Sequence, residues 1–163
     1  MEEEGRFLQR VRGAIELDEE IYAEIDADPA AIPQAFVVLL AAATLASVSV
    51  SPFVLFSSMA GLLFAWLVAA ALVWAVGSLL TRRDVDYARL LRCLGFGYIW
   101  IAPLVLSGLP FWIGQVITAL TLLPLFGSFW LATRQVIGVD SREASIICGT
   151  ALVIPFLLVC AVS

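Results

Sequence analysis

The chain has 163 residues, 62% of them hydrophobic, with nine basic and 14 acidic side chains, no histidine and a net charge of −5. That composition excludes an ordinary soluble domain, which scatters charge over its surface, and it excludes any histidine base or ligand. All charges fall within Glu2 to Asp28, Arg82 to Arg92 or Arg134 to Glu143, and because an ionised group at mid-bilayer is costly, such segregation predicts a chain that crosses a membrane several times.

The first element is a short amphipathic helix over Gly5 to Leu17. Phe7, Leu8, Val11, Ala14 and Ile15 recur at three- and four-residue intervals beside Arg6, Gln9, Arg10 and Arg12, a pattern that lies on a membrane surface. A second helix is predicted from Asp18 as N-cap, with Glu19 and Glu20 in the first turn and Ile21, Tyr22 and Ile25 on one side. Residues 1–28 are therefore read as a cytoplasmic interfacial segment. The acidic start and the late apolar run argue against a cleavable signal.

The uncharged stretches that follow, 29–81, 93–133 and 144–163, are long enough for two, two and one helices at about 20 residues per crossing. The expected spans are Gln34–Val50, Met59–Leu80, Leu94–Leu109, Phe111–Thr133 and Ala144–Val162. Ser51-Pro52 and Ser107-Gly108-Leu109-Pro110 supply the turns, Asp28-Pro29 leads into span one, and Pro33 bends or delays it. Before span three, Asp84 is the expected N-cap of an apolar face made by Val85, Tyr87, Ala88, Leu90, Leu91 and Leu94. Span three is short and carries Pro103, which leaves open a kink or a re-entrant hairpin with span four. Residues 29–163 form, on this reading, one all-α membrane domain, a five-span helical bundle preceded by interfacial helices.

Five spans put all three charged segments on one face and the uncharged turns with the carboxy-terminus on the other. All nine basic residues are arginines on that face, which the positive-inside rule makes cytoplasmic. Arg82, Arg83, Arg89 and Arg92 are expected to anchor topology and to contact lipid headgroups. On span two Gly61, Ala65 and Ala69, and on span one Ala43 with Ser47, form small-residue rows expected to mark helix contacts within the bundle. Gln115 is the most polar candidate inside the membrane. The span hydroxyls of Thr44, Ser47, Ser58, Ser78, Thr118, Thr121, Ser128 and Thr150 are expected to bond back to their own helices. Cys93, Cys148 and Cys160 lack metal spacing and read as buried apolar side chains. Neither a GxSxG nor a phosphate-binding loop occurs, and the runs Glu2-Glu3-Glu4 and Asp18-Glu19-Glu20 point in different directions around a helix, so no enzyme and no cofactor are expected.

Three stretches resemble the Yip1 family of integral membrane proteins, whose eukaryotic members act in vesicle traffic and contact Rab-type GTPases. They are Phe7 to Gly13 continuing through Glu24-Ile25-Asp26-Ala27-Asp28-Pro29, then Asp86 to Tyr98 with Gly97, Tyr98 and Pro103, and then Ala132 to Ala144. The resemblance implies a small prokaryotic member: a non-enzymatic scaffold or adaptor of the inner (cytoplasmic) membrane, amino-terminus cytoplasmic and carboxy-terminus outside. Its partners would be membrane lipids and a cytoplasmic or membrane protein, with a homo-oligomer left open and no nucleic acid. The Asp-Leu-Tyr-Gly-Pro signature of the eukaryotic members does not occur, and GTPase binding is not carried over. The alternative is a small-solute transporter or channel subunit whose uncharged pore is formed by an oligomer around Gln115.

Overall fold

A computed structural model describes residues 2–47, 52–108 and 111–162. The described chain is all-helical. Helix α1 (Glu2–Glu16) ends at Leu17, whose φ of 56° reverses the chain so that the Asp18 amide bonds back to the Gly13 carbonyl. Helix α2 (Glu19–Ala27) is capped by Asp18 as expected, its carboxylate accepting from the Glu20 amide, and Glu19 and Glu20 occupy the first turn. Helix α3 (Ala31–Ser47) takes Pro33 inside its first turn, where the missing N–H has no intrahelical partner to lose. Helix α4 (Pro52–Thr81) begins on its proline and closes at Arg82, which has a φ of 53° and donates its amide to the Ser78 carbonyl.

The cap of α5 (Tyr87–Gly97) is Asp86, which accepts from the Ala88 amide, and not Asp84. Asp86 is the residue two positions before the bonded amide, the register that an N-cap side chain reaches. At Tyr98 the helix tightens into a 3-10 helix, Tyr98–Gly108, that includes Pro103. The change of pitch lengthens the segment. Eleven residues rise about 22 Å as 3-10 helix against about 16 Å as α-helix, and with α5 they make one apolar helical run, Tyr87–Leu106, of 20 residues. Helices α6 (Phe111–Ile137) and α7 (Ser141–Val162) follow, and Asp140 caps α7 by accepting from the Arg142 and Glu143 amides.

Helices Met59–Thr81, Tyr87–Leu106 and Trp112–Ile137 are long and apolar enough to cross a membrane, and Ala31–Leu45 is a shorter apolar helix. Of the expected turns, Ser51, Leu109 and Pro110 lie outside the described residues. Helix α5 is central: α3, α4, α6 and α2 pack on it, the 3-10 helix fills the space between α3 and α6, and α7 closes against α4 and α6. Tyr22, Ile25, Leu39, Leu90, Leu94, Phe96 and Ile147 are fully buried in this core. Outside it, Phe64, Leu79, Trp112, Leu120 and Leu123 point away from the protein. Apolar surface on that scale is what a hydrocarbon solvent accommodates and water does not.

The rotation of α4 differs from expectation. Gly61 and Ala65 are exposed, and nothing stands within 4 Å of where a Gly61 Cβ would be; the buried face is Trp66, Ala70 and Val73. The row of Gly61, Ala65 and Ala69 therefore makes no tight helix contact in the bundle, although Ala69 is partly buried. The larger side chains decide the rotation. Trp66 Nε1 donates to the Leu91 carbonyl (3.1 Å), Trp74 Nε1 to the Val85 carbonyl (2.9 Å), and Tyr87 from α5 donates to the Leu67 carbonyl (3.0 Å). Those bonds satisfy groups that lipid would leave unpaired. Consequently Ala65→Leu should leave the thermal midpoint in detergent nearly unchanged, while Ala70→Leu, on the buried face, should lose about 1–3 kcal/mol from overpacking.

Candidate functional site

The charged segments come together at one end of the bundle, where α1 and α2 lie over the ends of the longer helices. Arg10 on α1 is 1% exposed. Its guanidinium donates to Glu24 Oε1 (3.0 and 2.7 Å), to Asp28 Oδ2 (2.6 Å) and to Gln34 Oε1 (2.9 Å), joining α1, α2 and the start of α3. Most of Arg10's donors are thereby used, which is the condition for tolerating a buried guanidinium.

A second junction ties α2 to α5. Asp26, 7% exposed, receives a two-pronged bond from Arg89, Nε to Oδ1 at 2.7 Å and Nη2 to Oδ2, while Arg92 Nη2 donates to the Asp26 carbonyl at 2.8 Å. At a third, Arg83 Nη1 donates to the carbonyls of Ile137 (3.1 Å) and Gly138 (2.7 Å). It satisfies the C-terminal carbonyls of α6 and places positive charge at the negative end of that helix dipole. Arg134 pairs with Glu19 (2.6 Å) and lies 5.6 Å from the centre of the Trp130 ring, whose indole N–H reaches Ser141 and Ser145 on α7.

The four arginines expected as topology and headgroup anchors thus separate. Arg92 is 6% exposed and belongs to the protein interior, which removes it from headgroup contact. Arg89 and Arg83 hold helix to helix. Arg82 alone is exposed with no partner among the described residues. Gly97, Tyr98 and Pro103, the motif residues, are packing positions. A Cβ on Gly97 would stand 2.9 Å from Ser128 Cβ, Tyr98 stacks at 5.4 Å and a 49° tilt on Phe129, and Pro103 borders an apolar groove with Trp100, Leu106, Ile117, Leu120 and Thr121. Gln115 is exposed on the outer surface of α6. Thr44, Thr118 and Thr150 bond back one turn to the carbonyls of Leu40, Gly114 and Ile146. Cys93 and Cys148 are buried, and among the described residues no three Cys, Asp or Glu side chains form a group that could hold a metal ion.

Sequence reasoning passed over Arg10 and Asp26. Both carry a signal. Arg10 stands three or four residues from Phe7 and Ala14 and next to Val11 on the apolar side of α1, and Asp26 shares the Tyr22 and Ile25 side of α2. An ionisable residue inside an apolar stripe needs a buried partner.

The Arg10 junction is acid-sensitive. The Arg10 hydrogen bond, aided by the Ala30 amide, holds the Asp28 carboxyl below its ordinary range. A depressed carboxyl contributes stability that is fully present above its unfolded value, about 3.9, and is lost as pH falls through the folded one. Thermal midpoints of the protein in detergent should therefore drop below about pH 4, and Asp28→Asn should lower stability at neutral pH while flattening that part of the profile.

No family model matches the chain, and no curated protein and no solved structure matches it.

Proposed function

We propose that the chain is a non-enzymatic membrane scaffold or adaptor of the Yip1 type, a five-span bundle of a prokaryotic inner membrane with its charged face and amino-terminus in the cytoplasm and its carboxy-terminus outside. The observation that carries this reading is the use made of charge. Arg10, Asp26, Arg83, Arg89, Arg92 and Arg134 join helices at one end, and the sequence places no ionisable Asp, Glu or Arg in the uncharged stretches. Transport of a charged or strongly polar solute normally needs such groups at depth, whereas a rigid cap fixed to membrane helices suits recruitment. Three helices are long and apolar enough to cross; the count of five is our reading, which takes α3 (17 residues) and α7 (22 residues), about 26 and 33 Å long at 1.5 Å per residue, as two further crossings.

The cap offers partners the outer side of α1, where Leu8 is 66% exposed and Arg12 and Ile15 stand beside it. Deleting residues 1–17 is a poor probe of that surface, because it removes buried Arg10 and Ala14 as well. A photo-cross-linking amino acid at Leu8, Arg12 or Ile15 should yield a discrete protein adduct in cells, with Leu123, on the apolar outer surface of α6, as the negative control. Protein-dependent solute flux in liposomes, abolished by Gln115→Leu and accompanied by no adduct from α1, would replace the scaffold with the oligomeric transporter.

A further inference from the structure

Glu143, a charged side chain outside the cap network, lines a groove, and two more such residues, Arg82 and Arg142, adjoin its lining residues in sequence. The groove, about 180 Å³, opens between the end of α4 and the first turns of α7 and is lined by Leu80, Thr81, Ile146, Ile147 and Glu143. Leu80 and Ile146 are both 58% exposed and Ile147 is fully buried, so its wall runs continuously from the core to the outer apolar surface. Arg82 follows Thr81 directly, and Arg142 precedes Glu143. Both arginines and the Glu143 carboxylate are exposed, and none of the three side chains has a partner among the described residues. Of the other nearby charges, Arg83 caps α6 and Asp140 caps α7, while Asp84 is exposed two residues past Arg82.

The geometry points to a binding site for one glycerophospholipid whose headgroup carries both a phosphate and a primary amine, of the phosphatidylethanolamine type. Thr81 ends an apolar helix long enough to span, which sets the groove at headgroup depth. An acyl chain fits the Leu80, Ile146 and Ile147 wall, and Arg82 and Arg142 supply cations for the phosphate. Glu143 selects among phospholipids. Its carboxylate repels a purely anionic headgroup and accepts hydrogen bonds from the N–H groups of a primary ammonium, donors that a trimethylammonium lacks. The site requires membrane insertion with this face at the bilayer edge, as in the functional reading above, but it requires no protein partner.

The test is native mass spectrometry of the protein released from nanodiscs made of equal parts phosphatidylethanolamine, phosphatidylglycerol and phosphatidylcholine with identical acyl chains. One retained phosphatidylethanolamine is expected. Glu143→Gln should erase the preference over phosphatidylcholine, the Arg82→Gln, Arg142→Gln pair should cut retention of all three about three- to tenfold, and Ile146→Trp should cut it by filling the groove. Circular dichroism of each variant verifies folding; all four positions are exposed, so loss of lipid with intact helicity is attributable to the site. Retention that mirrors the lipid mixture, favours phosphatidylglycerol, or ignores Ile146→Trp would overturn the proposal. Failure to enter nanodiscs would overturn it together with the membrane reading, whereas insertion without selectivity counts against this site alone.

Discussion

Asp26→Ala should lower the unfolding free energy by about 3 kcal/mol, the low end of the range for breaking a buried ion pair. Asp26 is the only carboxylate that Arg89 reaches among the described residues, and its backbone carbonyl holds Arg92. The low end applies because Arg89 is 40% exposed and can turn toward water once its partner is gone. Arg92 keeps its bond, because the substitution leaves the backbone carbonyl at position 26 in place. Asp26→Asn should be nearly as damaging, because its amide presents N–H donors to the Arg89 fork where two acceptors are required. Arg89→Lys should fall between wild type and Asp26→Ala, keeping the charge and losing the two-pronged geometry. Chemical denaturation in micelles measures the order. Proteolysis should also cut the segment between α2 and α3 faster in Asp26→Ala than in wild type, since α2 then loses the two-pronged Arg89 bond to α5 and keeps only the Arg92 bond and the packing of Tyr22 and Ile25.

Gly95→Leu should be the most damaging single substitution in the membrane part. A Cβ at Gly95 would stand 2.7 Å from Ala35 Cβ and 3.2 Å from Trp66 Cζ2, so three helices meet there. A methyl group already requires α3 or α4 to retreat, at about 1–3 kcal/mol for Gly95→Ala. The leucine side chain would in addition dislodge Trp66 from the Leu91 carbonyl and leave an indole N–H unpaired in an apolar setting. Loss of the folded state in detergent is the expected result. The assignment to Ala35 is separable: Ala35→Gly should be mildly destabilising alone through backbone freedom, yet should recover part of the Gly95→Ala loss, a coupling that a double-mutant cycle resolves.

What the sequence disclosed follows from which forces act locally. Charge segregation placed the helices, and Phe111 as the start of α6 and Asp18 as a cap were readable because capping and apolar run lengths are decided within a few residues. Rotation about the helix axis was not readable on α4. That helix has no polar side to contrast with an apolar one, so small residues at Gly61 and Ala65 were assigned to helix contacts, whereas the bonds of Trp66 to α5 and of Trp74 to Val85 just before it go with their facing outward. The contacts of the arginines were unreadable for a different reason. Arg89 meets Asp26 across 63 positions and Arg83 meets Gly138 across 55, and composition cannot distinguish a guanidinium at a headgroup from one on a carboxylate or a helix end. Gln115, the most polar residue in its span, faces outward because α6 presents Ser128, Phe129 and Ala132 to the core instead.

The central claim, that the charged cap and the carboxy-terminus lie on opposite sides of a cytoplasmic membrane, is tested by cysteine accessibility. In a background with Cys93, Cys148 and Cys160 replaced, single cysteines at Arg12, Ser51, Ser141 and Ser163 are treated with a membrane-impermeant maleimide in intact and permeabilised cells. Ser51→Cys and Ser163→Cys should label in intact cells, whereas Arg12→Cys and Ser141→Cys, both at exposed positions of the charged end, should label only after permeabilisation. Labelling of Ser141→Cys in intact cells, or protection of Ser163→Cys until permeabilisation, would contradict the account.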